Sequence, residues 1–140
     1  MSETLPVLEL RPTAEPDRFV LVVANRSERP LTLWRDGCSW GHGALTLRLT
    51  DRKTGGRRVL RRRPMVWKRN APAPLPLEPG QQIERELSLS LRDWEGFGMA
   101  LRGREFLMEA ILSIPRDPFA DRFGVWTGTA VSSTIPACPF

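Results

Sequence analysis

The clearest structural signal in the chain is the segment Ile83-Glu-Arg-Glu-Leu-Ser-Leu-Ser-Leu91. Its leucines stand at odd-numbered positions, and its glutamates and serines stand at even-numbered ones, so apolar side chains recur at every second position. A period of two is the repeat of a β-strand that buries one face. The same alternation occurs at residues 45–50, where leucines alternate with threonine and arginine. Both segments are therefore predicted to be strands that line a core.

The other predicted strands are short and are separated by proline and glycine. Residues 5–11 are predicted to form an N-terminal edge strand. Residues 19–24, which are rich in valine, are predicted to be buried on both faces, with residues 31–34 as their partner strand after a turn. Two further strands, including the last of the chain, are predicted at residues 104–114 and 125–135.

These elements predict an all-β fold in a single domain over residues 1–140. The strand lengths and spacing favour an immunoglobulin-like sandwich of two sheets and about eight strands, with a closed β-barrel as the alternative. Residues 71–80 contain four prolines and are predicted to be an extended connection that does not pair as a central strand. Residues 92–103 contain three glycines and are predicted to be a loop.

The basic residues are concentrated in one segment. The chain has 21 basic and 16 acidic side chains, and nine of the basic ones lie between Arg52 and Arg69, where there is no acid. The remainder of the chain is net acidic. Such a cluster is typical of a surface that binds an anionic partner. A solvated strand near a sheet edge would carry the same charge, and the coding of a GC-rich genome would also enrich the chain in arginine.

A hairpin is predicted around this basic segment, with Lys53-Thr-Gly-Gly56 as its loop. In that register Leu49 lies opposite Leu60, and Arg48 lies opposite Arg61. Directly facing like charges are destabilising. The register therefore predicts either that the pairing ends at this point or that an anionic group lies between the two guanidiniums.

The basic segment and a tryptophan-bearing loop are together predicted to form a binding surface. Arginine and tryptophan are the side chains most enriched among binding hot spots. We therefore expect a non-enzymatic binding module for a protein partner. The candidate residues of the basic segment are Arg57, Arg58, Arg61, Arg62, Arg63, Trp67, Lys68 and Arg69, and those of the neighbouring loop are Trp34, Arg35, Trp40 and His42.

A nucleic acid or another polyanion is an alternative ligand for the same surface. The sequence pI is about 10.5, and Trp67 stands beside Lys68 and Arg69. Single-strand binders combine such cations with aromatic platforms for the bases. No RNA-recognition, zinc-finger or helix-turn-helix signature is present in the sequence.

The residues available for catalysis or metal binding are few. His42 is the only histidine, and it lies four residues after Cys38 without a family signature. Zinc would need three or four ligands, and Cys38, His42 and Cys138 alone do not make a recognisable set. We therefore predict no catalytic residue, no metal site and no cofactor. The two cysteines are expected to be free thiols.

No segment of the sequence is predicted to cross a membrane. The longest strictly apolar run has six residues, from Phe19 to Ala24, whereas a helix that spans a bilayer needs about 20. The N-terminus carries acidic residues where a signal peptide has its basic start. A cytoplasmic location is expected, unless a leader has been removed.

The segment Phe19-Val-Leu-Val-Val-Ala-Asn-Arg-Ser-Glu-Arg-Pro-Leu-Thr-Leu33 resembles the strand, turn and strand that open many bacterial immunoglobulin-like sandwiches, including the intracellular proteinase inhibitor family. The ending Val125-Trp-Thr-Gly-Thr-Ala-Val-Ser-Ser133 resembles the last strand of such modules. The resemblance implies a bacterial, protein-binding sandwich. It also implies an alternative function, a proteinase inhibitor that presents residues 71–80 or 92–103 as an exposed loop, although no inhibitory residue matches.

Overall fold

The computed structural model describes residues 5–98 and 104–138. In this part of the chain there are eleven β-strands and two short helices. Their bounds, in chain order, are β1 Pro6–Pro12, β2 Arg18–Asn25, β3 Leu31–Trp34, α1 Ser39–His42, β4 Leu45–Asp51, β5 Arg57–Arg62, β6 Pro74–Leu77, β7 Gln82–Ser88, β8 Trp94–Glu95, β9 Phe106–Ile114, α2 Pro118–Phe123, β10 Gly128–Val131 and β11 Ile135–Ala137.

The strands form an all-β sandwich of antiparallel sheets, as predicted. One sheet has the order β1-β2-β7, and the largest has the order β10-β9-β4-β5-β8, with β11 also paired to β9. A third, two-stranded sheet joins β3 to β6. The described strands do not close into a barrel. The predicted edge strand is confirmed, because among the described strands β1 pairs with β2 alone.

The core lies where the inward faces of these sheets meet. The leucines at positions 45, 47 and 49 of β4 are at most 1% exposed, whereas the threonines and the arginine between them are half-buried. The period-two prediction for β4 is therefore confirmed. Leu8, Leu21, Leu112 and their neighbours surround an internal cavity of about 10 Å³. That volume holds about one water molecule, so the interior is closely packed.

The predicted partner of β3 is wrong. β3 pairs with β6 and not with β2, which lies between β1 and β7. The proline-rich connection therefore contains a strand, Pro74–Leu77, and Leu77 lies opposite Leu31. Because β6 has one neighbour only, its prolines do not interrupt a ladder on both sides.

The predicted last strand is also wrong in its bounds. Residues 125–127 follow helix α2 without being in a strand, and the remainder divides into β10 and β11, which both pair with β9. Ser132 lies at the break, where its Oγ accepts a hydrogen bond from the N–H of Ala110 at 2.8 Å. Helix α2 begins after Asp117, whose side chain accepts from the N–H of Ala120 at 2.7 Å.

Candidate functional site

The hairpin at the centre of the predicted site has a different register from the expected one. Leu47, not Leu49, lies opposite Leu60, and Arg48 lies opposite Val59. On its other side Arg48 faces Glu109 of β9 and forms an ion pair with it. The predicted opposition of two arginines does not occur, so no bound anion is needed to separate them.

The hairpin turn explains the shift of register. Asp51 Oδ1 accepts hydrogen bonds from the backbone N–H groups of Lys53 at 2.8 Å and Thr54 at 3.2 Å. Gly55 follows with a φ of 73°, which glycine adopts without strain. These backbone hydrogen bonds hold the pKa of Asp51 below its usual value, because they stabilise the charged carboxylate. The turn therefore lies at residues 52–55, between Asp51 and Gly56, whose backbones are hydrogen-bonded, and it begins one residue earlier than the predicted loop.

Three side chains on the solvent face of β5 form what we call the sheet-face cluster: Arg57, Val59 and Arg61. They alternate with Leu60, which is fully buried, and Val59 is 41% exposed. Neither arginine has a carboxylate oxygen within 4.0 Å among the described residues. Arg57 lies opposite Thr50 of β4, and Arg61 lies opposite Glu95 of β8 without forming an ion pair within 4.0 Å.

The other arginines of β5 and its C-terminal end are already engaged. Arg62 forms an ion pair with Asp36. Arg63 donates from Nε to the carbonyl oxygen of Leu91, and its Nη1 lies 3.9 Å from a carboxylate oxygen of Glu95. Arg58 is half-buried, and a Cβ at Gly98 would lie 3.1 Å from Arg58 Cζ, so the guanidinium lies against that glycine.

Residues 63–70 are attached to helix α1 at both ends. The Nε2–H of His42 donates to the carbonyl oxygen of Arg63 at 2.8 Å, and the His42 ring packs edge-on against Trp67 with centroids 5.7 Å apart. Asn70 Oδ1 accepts from the N–H of Ser39 at 3.0 Å. The structure thus brings together His42 and Trp67, and the ring of Trp67 is half-buried against the protein itself.

The tryptophans of the neighbouring loop belong mainly to the interior. Trp34 is 4% exposed and is part of the core. Trp40 is half-buried and packs against Trp34 and Phe119, with ring centroids 6.0 and 5.2 Å away. Arg35 is exposed, and its backbone N–H donates to the carbonyl oxygen of Ala73 at 2.8 Å. Of Trp34, Trp40 and Arg35, only Arg35 is exposed.

Sequence reasoning missed a second surface, which we call the loop surface. It combines three exposed apolar side chains with three cations from residues 63–70 and from the loop after β7. Met65 and Val66 follow Pro64 without alternation, which is the only sequence signal of their exposure. The prediction that the strand at residues 83–91 lines the core as far as Leu91 is wrong, because β7 ends at Ser88 and Leu91 is 55% exposed. The members of the loop surface are Met65, Val66, Leu91, Lys68, Arg69 and Arg92.

The residues weighed for catalysis have structural partners. Cys38 is buried, and its Sγ donates to the carbonyl oxygen of Arg35 at 3.2 Å. His42 uses Nε2 to hold the carbonyl group of Arg63. Neither Cys38 nor Cys138 is in a disulfide, in agreement with the prediction of free thiols. Within residues 5–98 and 104–138, no group of three His, Cys, Asp or Glu side chains is arranged to hold a metal ion.

The two loops considered for proteinase inhibition differ in what the structure shows. Residues 71–80 include β6, whose backbone is paired with β3. Residues 92–103 include β8, which pairs with β5, and their last five residues lie outside the described part.

Among the described helices, none is long and apolar enough to traverse a bilayer.

Comparisons with family models, with curated proteins and with solved structures give no match to this chain.

Proposed function

We propose that this protein is a non-enzymatic binding module that recognises an acidic surface of a protein partner through the sheet-face cluster. The observation that carries the proposal is the contrast along one sheet face. Arg48 forms an ion pair with Glu109, whereas among the described residues Arg57 and Arg61 on the neighbouring strand form none, although Glu95 lies opposite Arg61 in the ladder.

The spacing of the sheet-face cluster suits a protein ligand. Arg57 and Arg61 are four residues apart on one face of a strand, which separates their Cα atoms by about 13 Å. Val59 lies between them and offers apolar area that an interface can bury. Arginine forms paired hydrogen bonds with carboxylates, so two acidic side chains on either side of a small apolar contact would match this arrangement.

A protein is favoured over a nucleic acid by the position of the aromatic residues. Binding of single strands relies on exposed aromatic rings for base stacking. Trp67 packs on His42, and Trp34 is buried. Among the described residues, no cation–π contact joins Arg57 or Arg61 to an aromatic ring.

The proposal includes a cytoplasmic location. The two unbridged cysteines support it, because thiols stay reduced in that compartment.

The test is affinity capture from a nuclease-treated bacterial lysate. Three proteins are compared: the wild type, the double variant Arg57→Ser/Arg61→Ser, and the control Arg11→Ser/Arg18→Ser, whose two arginines lie on the other sheet and are paired with glutamates. We expect the wild type and the control to retain the same acidic protein, to release it at about 0.5 M salt, and the sheet-face variant to lose it. Equal retention by all three would contradict the proposal. So would binding that is seen in an untreated lysate and is lost after nuclease treatment.

A further inference from the structure

The loop surface exposes apolar side chains to an unusual extent. Val66 is 95% exposed, Met65 is 53% exposed and Leu91 is 55% exposed. The two loops that carry them are joined, because Arg63 donates to the carbonyl oxygen of Leu91. Burying such side chains gains about 25 cal/mol per Å². Exposure of these three side chains to water is therefore unfavourable.

Cations surround these apolar side chains. Lys68, Arg69 and Arg92 have no ion pair among the described residues. No aspartate or glutamate occurs anywhere between residues 52 and 77. Arg92 and Met65 also line the same groove, so cation and apolar side chain are close in space as well as in sequence.

Carboxylates near this end offset only part of the positive charge. Asp93 keeps its negative charge, because its hydrogen-bond partner, the hydroxyl of Ser90 at 3.1 Å, is neutral. Glu86 is paired with Arg18 at 3.1 Å, and Glu95 lies 3.9 Å from Arg63. The excess charge of the loop surface is therefore positive.

We infer that the loop surface binds the surface of an anionic lipid bilayer. Apolar side chains at a loop tip reach the boundary between headgroups and acyl chains, while cations around them contact the headgroup phosphates. Trp67 directly follows the tip, and tryptophan is favoured at that interface. A bilayer is the occupant that matches this chemistry, because apolar side chains at a loop tip among three cations without ion pairs fit headgroup phosphates that lie above acyl chains.

Both ends of the loop are held to helix α1 by hydrogen bonds. His42 holds one end through Arg63, and Ser39 holds the other end through Asn70. Binding therefore costs little conformational entropy. The inference is independent of the proposed protein partner, since the loop surface and the sheet-face cluster share no residue.

The test is co-sedimentation with vesicles of phosphatidylcholine alone or with about one-quarter phosphatidylglycerol at low salt. We expect binding to the anionic vesicles only. Met65→Ser/Val66→Ser should weaken it about tenfold, and Lys68→Ser/Arg69→Ser about 25-fold, since each cation near the surface contributes about fivefold. The matched control Val7→Ser/Arg26→Ser removes one exposed valine and one cation without an ion pair among the described residues from the region of β1 and the end of β2, and it should leave binding within about twofold of wild type.

Two results would overturn the inference. One is the absence of wild-type binding to anionic vesicles at low salt. The other is an equal loss in the control, which would indicate attraction by overall charge without docking of the loops. All replaced side chains are exposed, and thermal unfolding checks that each variant is folded. Loss of a captured protein in the loop variants, without vesicle binding by the wild type, would assign the loop surface to a protein.

Discussion

Arg62 and Arg85 lie on strands of different sheets and contact the same atom, Oδ1 of Asp36. Asp36 itself follows β3 of the third sheet. Burial lowers the pKa of Arg85, and the carboxylate of Asp36 opposes this effect while the nearby Arg62 adds to it. One carboxylate thus pairs with two guanidiniums where three sheets approach one another, and the three groups keep a net charge of +1.

Replacement of Asp36 by Asn should reveal this arrangement in the free energy of unfolding. It leaves two partly buried arginines without a counter-charge, and we expect a loss of about 2 kcal/mol, between the values for exposed and buried ion pairs. Urea denaturation measures it. Glu15→Gln is the control, because it removes an exposed partner of Arg18 and should cost less than about 1 kcal/mol. Equal losses in the two variants would mean that Asp36 is not a junction between sheets.

Gly41→Ala should be strongly destabilising. A Cβ at this position would overlap the carbonyl group of Arg35, with the carbonyl carbon 2.7 Å away, so backbone must move. We expect a loss of about 3 kcal/mol and a change in tryptophan fluorescence, because Trp40 and His42 are on the same helix. At Gly37 nothing lies within 4 Å of an added Cβ, so Gly37→Ala is the matched control. Similar stability of the two variants would contradict the close approach of α1 to residue 35.

Local alternation of apolar residues predicted β4, β7 and β9, because a strand's own sequence indicates which of its faces is buried. It does not indicate which strand will be its partner. A shift of two residues keeps every side chain of β5 on its original face, so the apolar pattern fits both the predicted and the observed register. The backbone hydrogen bonds of the turn, from Asp51 to Gly56 and from Gly55 to Asp51, occur in the observed one.

The candidate site shows the same limit. The charge cluster between Arg52 and Arg69 is evident in the sequence, but its division into separate surfaces is not. Arg62 pairs with the carboxylate of Asp36, which lies 26 residues earlier in the chain. Arg57 and Arg61 lie on the opposite face of β5 from Arg62. Which of the two faces is exposed is known only once Leu60 is found to be buried.

The stability contribution of Asp51 should depend on pH. Its folded-state pKa lies below the ordinary value, first because of the backbone N–H groups of Lys53 and Thr54. A carboxyl of this kind stabilises the fold above its unfolded pKa, and the contribution disappears as the pH falls through the folded pKa. The difference in unfolding free energy between wild type and Asp51→Asn should therefore be largest near neutral pH and shrink between about pH 4 and pH 2.

Urea denaturation at several pH values measures this difference. Thr54→Ala is a useful companion, because it removes a neighbouring side chain without a titrating group. Its effect should be the same at each pH. A pH-independent difference for Asp51→Asn would contradict the role of the charged carboxylate in the turn.

Asn25 should be essential for stability because it is fully buried and uses its whole amide. Oδ1 accepts from the N–H and the hydroxyl of Ser27, and Nδ2 donates to the carbonyl oxygens of Arg29 at 2.8 Å and Leu77 at 2.9 Å. Asn25→Ala leaves the Leu77 carbonyl without this donor and should cost about 3 kcal/mol in urea denaturation. Asn25→Asp should cost more, because it places a second oxygen against two carbonyls. If Asn70→Ala, which removes the exposed contact with Ser39, were equally destabilising, the junction of β2 with β6 would not depend on Asn25.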